Sequence, residues 1–327
     1  MLKQLPLHEF WKSKGADFYE DYGYKLPLSF SNSRKEYEGL KQTAGIVDFS
    51  ARGKVKVTGN DRVDLLQRIL TQDIKSVKAG GNCYSAFLTS KGKVIADMQV
   101  YVFEDHILLD TEIGIQTKLI EGLNKLIIIE DVILEDVSED FAHFALFGNT
   151  EPLFEKLCLD TLEAPGCKEF TVGAVPAIQL THQFKGTLFQ EVITESSNAE
   201  NLINKLLNFT CVKPIGYEAY EAARIEMGIL RYGKDISEEF SLPETGLDAI
   251  AASETKGCYP GQEVVARTNT YKGHTKKCIQ MKLEENKIAG DKIYFEGNEA
   301  GRITSATPLN NHAIAYIRKE FFDTFGI

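Results

Sequence analysis

A chain of 327 residues, 43% hydrophobic and 26% charged, carries enough apolar side chains for two or three packed units. Its formal net charge of −10 argues against a general nucleic-acid binder, which needs a basic footprint, but leaves room for a small anion held by local cations. No apolar run is long enough to predict a membrane span, and charges interrupt the first 25 residues too often for a secretory signal.

Residues 1–45 read as a helical lead-in, with Ser33 placed to cap a helix over RKEYEGLKQTAG and Gly45 just past its end. GKVKVTG alternates as a strand, and Asn60 or Asp61 caps RVDLLQRIL, whose Val63, Leu66, Ile69 and Leu70 share one face and predict core. Two apolar strands flank Lys91-Gly92-Lys93 as a hairpin, and a third follows Glu104-Asp105. A helix over 114–129 and the strand DVILEDV complete an α+β module spanning 46–137. FAHFALFG predicts a buried strand, followed by a helix at 150–159, two or three strands within 168–194 and a helix from near Ser197. That β-α-β-β-α order predicts a ferredoxin-like core built from 1–45 and 138–230. The helix YEAYEAARIEMGIL carries Arg224 and Glu226. A connecting segment (231–275) then leads to four short strands in 276–327, read as a small barrel or sandwich.

Six cysteines (Cys83, Cys158, Cys167, Cys211, Cys258 and Cys278) are scattered, without CxxC pairs or adjacent histidine pairs. This predicts a reducing, cytoplasmic setting, with no disulfide framework, zinc site or resident iron–sulfur cluster. One cysteine sits in an unusual place. In KGCYPGQE, Tyr259-Pro260-Gly261-Gln262 has the residues of a type II turn, which puts Cys258 on a surface bend two residues from Lys256. A nearby cation favours the reactive thiolate, so Cys258 is a candidate functional thiol as well as a candidate incidental one.

Asp97 interrupts the apolar strand KVIADMQVYVF and shares its parity with Ile95 and Gln99. Turned inward, its carboxylate would be desolvated and could accept a proton or anchor a ligand; turned outward it is an ordinary polar residue. ARTNTYKGHTKK gathers Arg267, Lys272, His274, Lys276 and Lys277 as a candidate anion patch. The six histidines lie far apart in sequence and suggest no catalyst, and TSKGKV lacks the glycine spacing of a phosphate loop.

Taken together, GIVDFSARGKVKVTGNDRVDLLQRILTQDI, SKGKVIADMQVY, EAARIEMGILRYGKDI, LPETGLDAI, KGCYPGQEVVAR and AGRITSATP resemble the YgfZ-type folate-binding proteins, relatives of the glycine-cleavage T-protein (aminomethyltransferase). The resemblance implies an α+β, three-part ring-like fold around a central cavity that binds tetrahydrofolate or a derivative. It further implies an accessory role in assembling or repairing iron–sulfur clusters in client enzymes, with a folate-dependent aminomethyltransferase as the alternative. Neither nucleic acid nor membrane is expected as a partner. By the same resemblance Asp97 lies near the reactive folate nitrogen, with Ala96 where the T-protein has a second acidic residue. Tyr101, Gln190, Arg224, Glu226 and Tyr232 match positions about the folate pocket and the helix beside it. Lys256, Gly257, Cys258, Tyr259, Gly261, Gln262 and Glu263 form the YgfZ-type loop, with Cys258 and Asp97 as the reactive groups. Two departures count against aminomethyl transfer: Gln190 where the T-protein grips the pterin with a glutamate, and Tyr220 where it has an arginine.

Overall fold

The computed structural model describes residues 2–157, 165–184, 186–271 and 273–327. Cys158, Lys272 and the last two residues of the helix expected at 150–159 lie outside that set. Two mixed α/β layers are built on sheets of six and five strands. The larger sheet runs in the order Gly166–Val172, Val175–Phe184, Thr187–Glu195, Phe141–Gly148, Ala44–Asp48, Val212–Pro214. Its first five strands pair antiparallel and Val212–Pro214 joins Ala44–Asp48 in parallel. One face packs Phe144, Leu146 and Val192 against Leu202, Ile203 and Leu206 of helix Ala199–Leu207.

The second sheet runs Asn82–Leu88, Val94–Val102, Ile107–Thr111, Gly53–Thr58, Ile133–Asp136. Strand alternation decides the role of each face. Ala96, Met98 and Val100 join Leu65, Leu66 and Ile69 of helix Arg62–Ile69 in one core. Asp97 and Gln99, of opposite parity, turn toward the larger sheet and line the cavity between the two.

At the C-terminal end, Lys276–Lys282, His312–Arg318, Asn298–Ala306 and Lys292–Phe295 form a four-stranded antiparallel sheet in that order. It rests partly on helix Tyr217–Glu226. A three-stranded sheet near the N-terminus, Lys3–Gln4, Tyr24–Ser29 and Asp17–Asp21, stands where the sequence suggested only helix.

Local differences have physical causes. The first expected cap is Asn32 rather than Ser33: its side chain accepts from Lys35 N at 3.0 Å, while Ser33 Oγ donates to Glu218 Oε2. That helix stops at Gly39, and Gly45 is a strand residue. A Cβ there would meet Leu40 and Ile215 side chains, so close packing, not capping, is what that glycine permits. The helix expected over 114–129 is shorter, Gln116–Asn124.

Candidate functional site

The cavity lies between the two larger sheets and is closed on one side by helix Tyr217–Glu226 and the Ile229–Tyr232 segment after it. Its apolar wall is a set of rings. Phe49 packs edge-on to Tyr220 at 5.0 Å between centroids, and Phe147 meets Tyr220 at 5.3 Å and Phe189 at 5.9 Å. The other wall is charged. Arg52 grips Asp110 through Nε and Nη2 at 2.8 to 3.2 Å. Arg231 donates from Nε to Glu112 Oε2 and from Nη1 to Glu221 Oε1, both at 2.9 Å. Arg231 thereby ties the end of the sheet to helix Tyr217–Glu226, while Arg52 fixes Asp110 within the sheet.

Asp97 is the reactive-looking group on this wall. Tyr84, which pairs with Gln99 and so lies diagonally across the hairpin from Asp97, donates its hydroxyl to Asp97 Oδ2 at 2.6 Å. Asp97 Oδ1 is buried and has no hydrogen-bond partner. Burial pushes the carboxyl up to about 6 while the Tyr84 bond works against that rise. A carboxylate so poised can take a proton from, or accept a hydrogen bond from, a group entering the cavity.

The other sequence-derived site residues are distributed unevenly. Tyr232 lines the cavity, with its hydroxyl 3.2 Å from Lys118 Nζ. Gln190 also borders it, but its side-chain carbonyl accepts from Gln179 Nε2 at 2.9 Å and Thr181 Oγ1 at 2.8 Å. Tyr101 has the parity of Asp97 but lies one same-face step beyond Gln99, in an apolar cluster with Leu108, Cys167, Leu180 and Ile193. Tyr84 is the tyrosine of that hairpin that meets the cavity. Arg224 is fully buried and engaged elsewhere, with Glu221, with Asp235 Oδ2 at 2.8 Å and with Ser305 Oγ at 2.8 Å. It ties the helix to the C-terminal sheet. Glu226 accepts from the Tyr37 hydroxyl.

Sequence reasoning missed a buried polar row at the cavity floor. His143 Nε2 lies 3.0 Å from Glu191 Oε2, and His182 stacks on Phe189 with centroids 5.3 Å apart. Burial pushes Glu191 up, but His143 and His182 outweigh it and hold the carboxyl below its usual range. The histidines lie far apart in sequence and are brought together only by strand pairing. A polar residue inside FAHFALFG was the available signal.

The KGCYPGQE loop sits away from this cavity. Gln262 N donates to Tyr259 O at 3.2 Å and Gly261 has φ +82°, which makes the type II turn. A Cβ on Gly261 would stand 2.5 Å from Thr89 O, so the loop docks closely on the Lys91-Gly92-Lys93 hairpin. Cys258 and Gly257 are exposed, Tyr259 is buried, and Gln262 and Glu263 open helix Gln262–Tyr271. Lys256 does not serve as the thiol's cation in the way its spacing suggested. Its Nζ is turned inward to the carbonyl of Gln67 in the last turn of helix Arg62–Ile69 and to those of Leu70 and Gln72 just beyond it. Burial lowers its pKa to about 8. Of the candidate anion patch, Lys276 is committed to Glu239 at 3.0 Å and lies over the Phe240 ring at 4.3 Å.

The architecture is that of the glycine-cleavage aminomethyltransferases. Superposition on the T-protein of Bartonella henselae gives a TM-score of 0.87 at 21% identity, covering 98% of this chain and 91% of that one. Residues 7–255 match the GCVT N-terminal domain, and the chain belongs to that family. Among curated relatives, aminomethyltransferases of Bacillus licheniformis and Thermosipho melanesiensis are each 27% identical. The first alignment covers 98% of this chain and 92% of the relative, the second 96% and 88%. Among the described residues no helix is long and apolar enough to cross a membrane.

Proposed function

We propose that this protein binds a reduced folate in the Asp97 cavity and handles a one-carbon or aminomethyl unit there. The observation that carries the reading is the Asp97 carboxylate: one oxygen on Tyr84, the other buried and unpartnered, at the edge of a ring-lined cavity. The family uses tetrahydrofolate or a derivative, and the curated relatives are named aminomethyltransferases. The donor set suits a pterin, which combines a flat apolar face with N–H groups. Phe49, Tyr220 and Phe147 offer ring surfaces, and Asp97 and Glu191 offer acceptors. The free space is about 90 Å³, below the ~300–1,000 Å³ of common small-molecule sites, so entry of a pterin requires side chains at the rim to move aside.

Tetrahydrofolate supplies the nitrogen that accepts or donates the one-carbon unit. The chain's residues do the rest. Asp97 Oδ1 accepts the proton or hydrogen bond of the reacting nitrogen. Tyr84 keeps Oδ2 occupied, so that a single oxygen points at the ligand. The ring wall excludes water. Glu191 is the carboxylate on the cavity side of Thr187–Glu195, beside a Gln190 side chain held by Gln179 and Thr181.

The test is calorimetric titration with tetrahydrofolate and its methylene and formyl forms, on wild type and Asp97→Asn. It is paired with tetrahydrofolate-dependent ammonia release from an aminomethylated lipoyl carrier protein. Absence of binding by any reduced folate at millimolar concentration sinks the reading.

A second reading, an accessory role in iron–sulfur cluster assembly or repair of the YgfZ type, is favoured by one observation: the exposed Cys258 on a firmly docked loop beyond the matched residues 7–255. Folate binding without ammonia release, together with failure of Cys258→Ser to support iron–sulfur enzyme activity in cells, selects it.

A further inference from the structure

We propose that Asp110, His143 and Glu191 form a binding site for a divalent first-row transition-metal ion at the floor of the Asp97 cavity. Glu191 is shared with the proposed pterin site, whereas Asp110 and His143 have no part in it; metal binding is therefore read without folate present.

Three strands supply the donors. His143 of Phe141–Gly148 and Glu191 of Thr187–Glu195 are diagonal neighbours on one face, because Ala145 pairs with Glu191 and His143 with Ile193. Asp110 of Ile107–Thr111 meets them from the opposing sheet. All three side chains are buried, and one donor atom from each lies within 4.8 Å of the others. Donor atoms that near one another could share one ion, at bonds of ~2.0–2.2 Å, after a side-chain adjustment on the Glu191 side.

The independent sign is His143 Nδ1. The ring is 0% exposed, yet this nitrogen has no hydrogen-bond partner. It faces Asp110 Oδ1 at 3.9 Å, too far for a hydrogen bond. Buried polar atoms of this kind call for an occupant. One imidazole nitrogen with two carboxylates is a donor set for zinc, manganese or ferrous iron rather than for copper(I) or calcium. Arg52 bonds both oxygens of Asp110, which fixes the carboxylate's orientation. Asp110 and Glu191 both border the cavity, which gives an ion a way in and leaves its free positions facing a bound ligand. The groups that set the local charge are Asp48, Arg52, Lys54, Glu112 and His182.

The experiment uses the full chain after chelator treatment, titrated with cobalt(II) at neutral pH and followed by visible absorption and calorimetry. The expected result is one ion per chain with the absorption of four- or five-coordinate cobalt, displaced by zinc. Glu191→Gln and His143→Gln should each weaken it by at least ~10-fold, whereas Cys258→Ser should leave it unchanged. No binding to wild type below ~1 mM, undiminished binding in folded variants, or loss of binding in Cys258→Ser overturns the proposal. If the variants fail to fold, X-ray absorption of the wild-type zinc complex decides. A nitrogen and oxygen shell with imidazole scattering supports the site, and a sulfur shell overturns it.

Discussion

Tyr84 donates to Asp97 Oδ2 at 2.6 Å and leaves Oδ1 buried without a partner, so the two residues form a half-satisfied pair at the cavity edge. A hydrogen bond to a carboxylate favours its charged form, and burial opposes it; here burial wins and the carboxyl sits at about 6. Linkage follows with a definite sign. The folded state holds this proton more tightly than an unfolded aspartate of pKa ~3.9. The stability contributed by this group is therefore present below pH ~4 and falls as pH rises toward 6. Asp97→Asn should lack that fall. Tyr84→Phe removes the bond to the charged form, costs about 1.5–3 kcal/mol near neutral pH, and extends the fall above pH 6. Urea unfolding of the three proteins at a series of pH values measures both effects. Superimposable pH profiles would refute the assignment.

If Asp97 is the proton acceptor for one-carbon transfer, its ionised form is the active one. The rate should rise with pH through about 6 and then level off. Asp97→Asn should lower it by ~10²–10⁴-fold with a smaller effect on folate affinity. A pH-independent residual rate in Asp97→Asn fits this role. A retained inflection near 6 assigns the base elsewhere.

What the sequence made legible was set by local periodicity. The hairpin about Gly92, the helix Arg62–Ile69 and the four C-terminal strands follow from alternation, helical spacing and turn residues, which act over a few positions. The parity of Asp97 with Gln99 also pointed to one face of the strand, and that face lines the cavity. Tyr101 shares the parity yet misses the cavity, because Cys167, Leu180 and Ile193 of the larger sheet pack directly onto it. The row of Asp110, His143 and Glu191 depends on which strands pair and how two sheets face, a long-range property that no spacing announces. Lys256 shows the same limit. It stands two positions from Cys258, but its ammonium is drawn to three carbonyls 184 to 189 positions back in the chain.

Arg224 is expected to matter for stability rather than ligand affinity. Its guanidinium makes hydrogen bonds to Glu221, Asp235 and Ser305 at once, with no exposed surface. Lysine keeps the charge but cannot reproduce a planar fork that reaches Glu221, Asp235 and Ser305 together. Arg224→Lys should cost about 1.5–3 kcal/mol, the range for losing hydrogen bonds to a charged group, as read by denaturant midpoint. The folded fraction should bind ligand as wild type does. A normal midpoint with lost binding would return Arg224 to the site.

The docked loop gives the last prediction, which separates Lys256 from Cys258. The three carbonyls that Lys256 satisfies lie at and beyond the C-terminal end of helix Arg62–Ile69, where a cation is favoured by the unpaired C=O groups. Lys256→Met preserves much of the apolar stem but orphans them, at a cost of about 1–3 kcal/mol. Because the ammonium is turned inward, it is not what activates the thiol. Native-state alkylation of Cys258 in Lys256→Met should therefore be as fast as in wild type, or faster if the loop loosens. Exposure should make Cys258 the first thiol to react, while Cys83 and Cys167, whose thiols burial pushes up to about 12, should be slow. Rate-resolved alkylation with mass spectrometry reads all of these in one experiment. Alkylation of Cys258 that slows several-fold in Lys256→Met would mean that the ammonium acts on the thiolate after all, and that the inward latch is not the conformation that reacts.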